Sequence, residues 1–151
     1  MRVMGLDIGD RTIGVAVSDP SETLARGVTV LSRRGTGDVA AVAEMAARHE
    51  ATLLVAGLPR SLRGEIGPQA QKVLQFVAAL REGCPVAVEV WDERLTTRMA
   101  ERSLRDAAVP RRRRRGLVDQ VAAAVILQGF LDARAESRRR QEQDEARKRG
   151  D

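Results

Sequence analysis

Two apolar runs, Val3-Met4-Gly5-Leu6-Asp7-Ile8 and Ile13-Gly14-Val15-Ala16-Val17-Ser18, stand on either side of a short connection that begins Gly9-Asp10. Runs this short, bounded by turn residues and rich in β-branched side chains, read as strands, and so brief a connection makes them a hairpin. A third strand, about Ala25 to Leu31, follows the Asp19-Pro20 turn. Then the pattern changes. Gly35-Thr36-Gly37-Asp38 interrupts it, and Asp38 is a suitable N-cap for an Ala-rich helix ending near His49. Thr52-Leu53-Leu54-Val55-Ala56 has the character of a central strand covered on both faces.

Leu58 to Gly67 reads as a loop, and Pro68 as the first residue of a helix through Arg81, its fixed φ and missing N–H suiting that position. A strand from Val86 to Trp91 follows Gly83-Cys84-Pro85. Thr96 is placed to cap a helix running to about Ala108, Arg111 to Arg115 reads as a basic linker, and a last helix covers roughly Leu117 to Ala133. Three consecutive strands followed by alternating helices and strands predict an α/β fold: a five-stranded mixed sheet flanked by helices on both faces. No internal repeat is visible. The expected domain is 1–135. Residues 136–151 carry charge of both signs and, apart from Ala146, no apolar side chain, so a disordered tail is expected there.

Composition narrows the function. Aromatic residues are only 2% of the chain, which argues against a binder that stacks bases on several rings. The net charge is +5, and the segment from Arg134 onward, with seven basic and five acidic side chains, accounts for only two units of it. The body is therefore basic in its own right, as a nucleic-acid partner requires. Cys84 is the only cysteine, so no intrachain disulfide is possible. No apolar run approaches membrane-spanning length, and Met1 leads straight into a strand without a signal-peptide pattern. A cytoplasmic protein without a membrane partner is expected.

Three carboxylates occupy positions that ask for a reason. Asp7 lies inside an apolar strand, where an ionised group is costly unless it is paired or binds a cation, and Gly5 and Gly9 leave it uncrowded. A bond to a local turn or to Arg11 would serve equally well. Asp92-Glu93-Arg94 ends the last strand, and ligands of open α/β sheets gather beyond the carboxyl ends of strands; solvated loop charges are the plainer reading. Asp119 precedes Ala122 and Ala123 by three and four residues on a helix that otherwise faces the core, although a first-turn Asp is also favoured by the helix dipole. Together the three match the needs of two divalent cations clamping a phosphodiester, which take carboxylates from several elements. His49 is the only histidine, so a zinc site is not expected.

Gly5 to Asp19 resembles the opening motif of the YqgF family of pre-16S rRNA nucleases, also described as Holliday-junction-resolvase-like. Gly57-Leu58-Pro59 with Gly64, Asp92-Glu93-Arg94-Leu95-Thr96-Thr97, and Asp119 with Ala122-Ala123 and Ile126 to Leu131 resemble three further blocks in the same order. Together they cover about residues 2 to 133. The resemblance implies a ribonuclease H-like fold and a metal-dependent endonuclease acting in 5′-end maturation of pre-16S ribosomal RNA. It implies Asp7, Glu93 and Asp119 as both catalytic residues and ligands of Mg²⁺ or Mn²⁺, with Arg11 and Arg94 facing substrate phosphates. Arg112, Arg113 and Arg114, in the basic run just ahead of Asp119, are expected to clamp the phosphate backbone as a mobile segment that orders on the substrate. The chain departs from the family pattern at Arg60-Ser61-Leu62-Arg63, where relatives often carry Asn or Asp, and at Asp10, where Thr is common.

Other readings have distinct signatures. A four-way DNA junction is the alternative substrate, and it calls for a symmetric dimer to place two cuts. The Asp-containing hairpin also resembles the phosphate-binding hairpin of sugar kinases and actin-like ATPases, which need two such lobes. A non-catalytic RNA- or DNA-binding factor would use the basic run alone, but an acidic triad repels phosphate unless a metal bridges them.

Overall fold

The computed structural model describes residues 1–59, 64–92 and 111–150, with 111–119 given as helix backbone only. Strands β1 (Arg2–Ile8), β2 (Thr12–Ser18), β3 (Ala25–Ser32), β4 (Ala51–Leu58) and β5 (Ala87–Asp92) form one mixed sheet in the order β3-β2-β1-β4-β5. The first three make an antiparallel meander, whereas β4 and β5 join β1 in parallel. The parallel trio β1, β4 and β5 therefore ends on one side of the sheet. Pro59, at the end of β4, and Asp92, at the end of β5, mark that edge.

Side chains alternate across a strand, and each face has its own core. On one face Met4, Leu6 and Ile8 of β1 and Leu54, Ala56 and Leu58 of β4 pack with Val42 of α1 (Asp38–Arg48) and Val73, Phe76 and Leu80 of α2 (Pro68–Gly83). On the other, Val3, Ala16 and Val55 meet Ala123, Ile126, Leu127, Phe130 and Leu131 of α3 (Arg111–Gly150). The expected mixed sheet with helices on both faces is what the chain forms, and its architecture is ribonuclease H-like.

Three expectations need revision. Asp38 does not cap α1; Gly37 holds that position, and the Asp38 carboxylate instead accepts from the backbone N–H groups of Arg34 and Gly35 in the preceding turn. The segment Arg111 to Arg115 is not a linker, because α3 begins at Arg111. Arginine is a strong helix former, and successive residues on a helix point about 100° apart, so five in a row do not share one face. Nor does the last helix stop at Ala133. It continues to Gly150, with ion pairs Glu136–Arg140 at 2.7 Å and Glu145–Arg149 at 3.9 Å bridging successive turns. Charge without apolar content argues against a packed core, but not against helix. The expected helix from Thr96 to Ala108 lies outside the described residues.

Candidate functional site

Asp7 is the next-to-last residue of β1 and is half-buried. Its neighbours Leu6 and Ile8 point into the core shared with α1 and α2. Alternation therefore assigns Asp7 to the opposite face, the one that α3 covers. Across β2 its partner is Gly14, and on β4 the residue at its level, one step beyond the Leu6–Ala56 pair, is Gly57. Neither adjoining strand raises a side chain beside the carboxylate.

The chain then turns tightly. The Gly9 N–H donates to the Thr12 carbonyl at 2.9 Å, leaving Asp10 and Arg11 exposed at the tip. Lys72 of α2 pairs with Asp10 at 3.3 Å. A residue that sequence reasoning passed over, Arg33, fixes this turn from behind. Its backbone N–H donates to the Arg11 carbonyl at 2.8 Å and its Nη1 to the Gly9 carbonyl at 3.0 Å. The guanidinium also pairs with Asp38 at 3.3 Å and lies 4.8 Å from the centre of the Phe76 ring. The Arg34 backbone N–H, with Arg33 and Gly35 adding to it, holds the Asp38 carboxyl below the ordinary carboxylate range despite burial. The signal in the sequence was indirect: Arg33 is the first residue past the end of β3, opposite the hairpin turn.

Asp19, at the far end of the hairpin, serves a different purpose. Its carboxylate accepts from the Ser21 hydroxyl and from the backbone N–H groups of Thr23 and Leu24, and these bonds lower its pKa. That network shapes the β2–β3 turn and stands at the opposite end of β2 from Asp7.

Small residues bring α3 onto the sheet. A Cβ on Gly5 would lie 2.8 Å from Leu127 Cβ and 3.1 Å from the Ala123 carbonyl oxygen, and one on Gly27 would lie 3.2 Å from Gln120 Cβ. The direction of α3 follows from two contacts along β3. Gln128 Oε1 accepts from the N–H of Ala25, the first residue of β3, whereas Gln120 lies against Gly27 further along. Helix α3 therefore runs antiparallel to β3 and to β1, and its earlier residues lie toward the edge where β1 ends. Asp119 is in that part of the helix, one residue before Gln120.

At the end of β5, Asp92 stands at the level of Leu58, and Trp91 at that of Gly57 and so of Asp7. Trp91 packs against the α3 face, with its ring centre 5.9 Å from that of Phe130. Alternation thus sends Asp92 to the α1–α2 face, opposite to Asp7. Glu93, Arg94 and Arg60 to Arg63 lie outside the described residues, as do the side chains of Arg112, Arg113, Arg114 and Asp119. Among the described residues, no three Asp, Glu, His or Cys side chains gather as a metal cage, and no helix is long and apolar enough to cross a membrane.

The RuvX model, described as Holliday junction resolvase, matches residues 1–133. A protein of Moorella thermoacetica named "Putative pre-16S rRNA nuclease" is 50% identical over 133 residues, 87% of this chain and 95% of its own. One of the same name from Caldanaerobacter subterraneus is 45% identical over 139 residues, 91% of this chain and 100% of its own. Among solved structures, the fowlpox virus resolvase in complex with substrate Holliday junction DNA superposes with a TM-score of 0.51 at 11% identity, over 88% of this chain and 98% of that one.

Proposed function

The chain belongs to the RuvX family, and from that premise we propose that it is a divalent-metal-dependent endonuclease of the cytoplasm, acting in 5′-end maturation of pre-16S ribosomal RNA. The observation that carries the reading is the setting of Asp7. It is a half-buried carboxylate at the finishing edge of three parallel strands, with glycine on both neighbouring strands and the early part of α3 on its own face. Such a place suits a cation and its water better than a side-chain partner.

Asp7, Glu93 and Asp119 are assigned as the metal ligands and catalytic residues. Glu93 continues directly from the last residue of β5, and Asp119 belongs to the helix that descends toward Asp7. An all-carboxylate donor set suits Mg²⁺ or Mn²⁺. When bound, such ions lower the pKa of a water and stabilise the charge that develops on the phosphate. Arg11 at the exposed turn tip, Arg94, and Arg112, Arg113 and Arg114 at the start of α3 are assigned to the substrate backbone, where they position the strand without reading its sequence. The catalytic unit is residues 1–135, and the charged segment 136–151 is not needed for it.

The relatives' shared name supports ribosomal RNA as substrate. The description of the family model favours a second reading, a four-way DNA junction. Purified protein incubated with precursor RNA and with a four-way junction, each with Mg²⁺, Mn²⁺ or EDTA, separates the two. Cleavage of the RNA that stops in EDTA is expected. Full cleavage in EDTA would remove the metal from the account, and cleavage of the junction alone would establish the second reading.

A further inference from the structure

Beside the candidate centre, on the same face of the sheet, a groove of about 430 Å³ runs between β5 and the outer half of α3. Trp91, Phe130, Arg134, Ser137, Arg138 and Gln141 line it, with Glu89 of β5 on one side. Two of the three aromatic residues of the chain meet here, edge to face. Arg134 lies 5.8 Å from the centre of the Phe130 ring. Both arginines also reach toward one carboxylate, Glu22, at 3.7 Å and 3.9 Å. Those distances are beyond hydrogen-bonding reach, so the guanidinium donors are held near an anion without being used up by it. Glu22 itself sits at φ 58° in the β2–β3 turn, an uncommon conformation for a residue other than glycine.

We infer that this groove is a second nucleic-acid contact, holding one nucleotide of single-stranded RNA outside the cleavage centre: its base against Trp91 and its phosphate on Arg134 and Arg138, in place of Glu22. The volume is sufficient for a nucleotide, and an aromatic surface beside paired arginines is the chemistry that single strands use without sequence preference. Arginine suits the exchange of partners because its planar fork accepts phosphate and carboxylate alike. Position supports the assignment as well. Trp91 is level with Asp7 in the sheet and is followed in sequence by Asp92 and Glu93, so a strand leaving the centre along β5 enters the groove at once. Glu22 acts as the resting counterion and sets a threshold: only an anion more highly charged than a carboxylate displaces it.

The inference rests on the nucleic-acid reading above, and Trp91 supplies a readout independent of cleavage because it is the only tryptophan. Binding of a short oligouridylate is followed in EDTA by two signals at once: anisotropy of a labelled strand for total binding, and quenching of Trp91 fluorescence by the unlabelled strand for the groove. Quenching that saturates together with anisotropy is expected, and blunt duplex RNA, whose bases are already stacked, should quench little. Arg134→Gln with Arg138→Gln should lower affinity and flatten the salt dependence by roughly 1.4 in log–log slope, about 0.7 for each phosphate contact on a single strand. Glu22→Gln should tighten binding, since it removes the competing charge and keeps the side-chain shape. Strong anisotropy binding without quenching, equal quenching by duplex, an unchanged salt slope in the double variant, or no tightening in Glu22→Gln would each overturn the groove while leaving the nuclease assignment intact. No anisotropy change with wild-type protein would overturn both. Circular dichroism of each variant confirms that the comparison is between folded proteins.

Discussion

Gly5 of β1 and Leu127 of α3 are in contact so close that a Cβ on the glycine would lie 2.8 Å from the Cβ of the leucine. The clashing atom is fixed to the helix backbone rather than being the end of a flexible side chain. Gly5→Ala must therefore push α3 away from the sheet. The expected cost is about 1–3 kcal/mol, as for overpacking elsewhere, read as a lower urea midpoint at unchanged slope. Because α3 also carries Asp119, cleavage at saturating substrate should fall by more than the loss of folded protein accounts for. A variant as stable as wild type would show that the helix does not seat as tightly as this contact implies.

Asp7→Asn keeps the side-chain shape and removes a charge. Divalent-dependent cleavage should be abolished, while the thermal transition stays as high as wild type or rises, since a partly buried carboxylate is no longer held near the other acidic groups. Retention of more than a small fraction of turnover would take Asp7 out of the proposed ligand set.

Asp38 ties Arg33 to the turn ahead of α1. Asp38→Ala leaves the backbone donors of Arg34 and Gly35 and the Arg33 guanidinium without their acceptor, at a cost of about 1–3 kcal/mol. The pH dependence has a definite sign. The folded carboxyl titrates below its unfolded value of about 3.9, so its contribution is fully present above that pH and is lost as pH falls through the folded value. The stability difference between wild type and Asp38→Ala should be constant near neutrality and shrink in acid below about pH 4. A difference that grows in acid would reverse the assignment.

A chain ending at Ala135 should keep one cooperative thermal transition. The residues it loses are exposed throughout, and the ion pair it gives up, Arg138 with Glu22, is largely solvated and contributes about 0–1 kcal/mol. Differential scanning calorimetry checks this; loss of the transition would make the outer helix part of the folding unit.

Replacing Arg112, Arg113 and Arg114 together with Gln should weaken binding about equally for unrelated sequences and reduce the salt slope by roughly one per lost contact. Turnover at saturation should change much less. With these residues on a helix rather than a loop, the variant should also keep its helix content by circular dichroism, because Gln is nearly as good a helix former as Arg.

What the sequence disclosed divides by physical range. Strand β1 and its hairpin partner were legible because apolar content and turn residues act locally, and Asp7 stood out because a carboxylate there contradicts its surroundings. The face on which Asp7 lies followed from the alternation of Leu6 and Ile8, but the glycines on both sides of it became meaningful only with the register, since Gly14 and Gly57 are far apart in sequence. Arg33 was invisible for the same reason: its partners Gly9, Asp38 and Phe76 come from three separate segments. Helix ends were misjudged in the opposite way. The run from Arg111 and the stretch beyond Ala133 were judged by charge and apolar content, whereas helix propensity and ion pairs one turn apart decide whether the backbone goes on coiling.

The forty-residue α3 has an axial length of about 60 Å at 1.5 Å per residue, yet its last buried side chain is Leu131. Its amides should accordingly exchange with solvent deuterium on two distinct clocks. Those near Ala123 to Leu131 are released only when the sheet itself comes apart and should report the global free energy of unfolding. Those from about Arg139 onward can be freed turn by turn from the carboxyl end, at the small cost of fraying a solvated helix. One continuous helix in the static picture is in energetic terms a clamped beam with a free end.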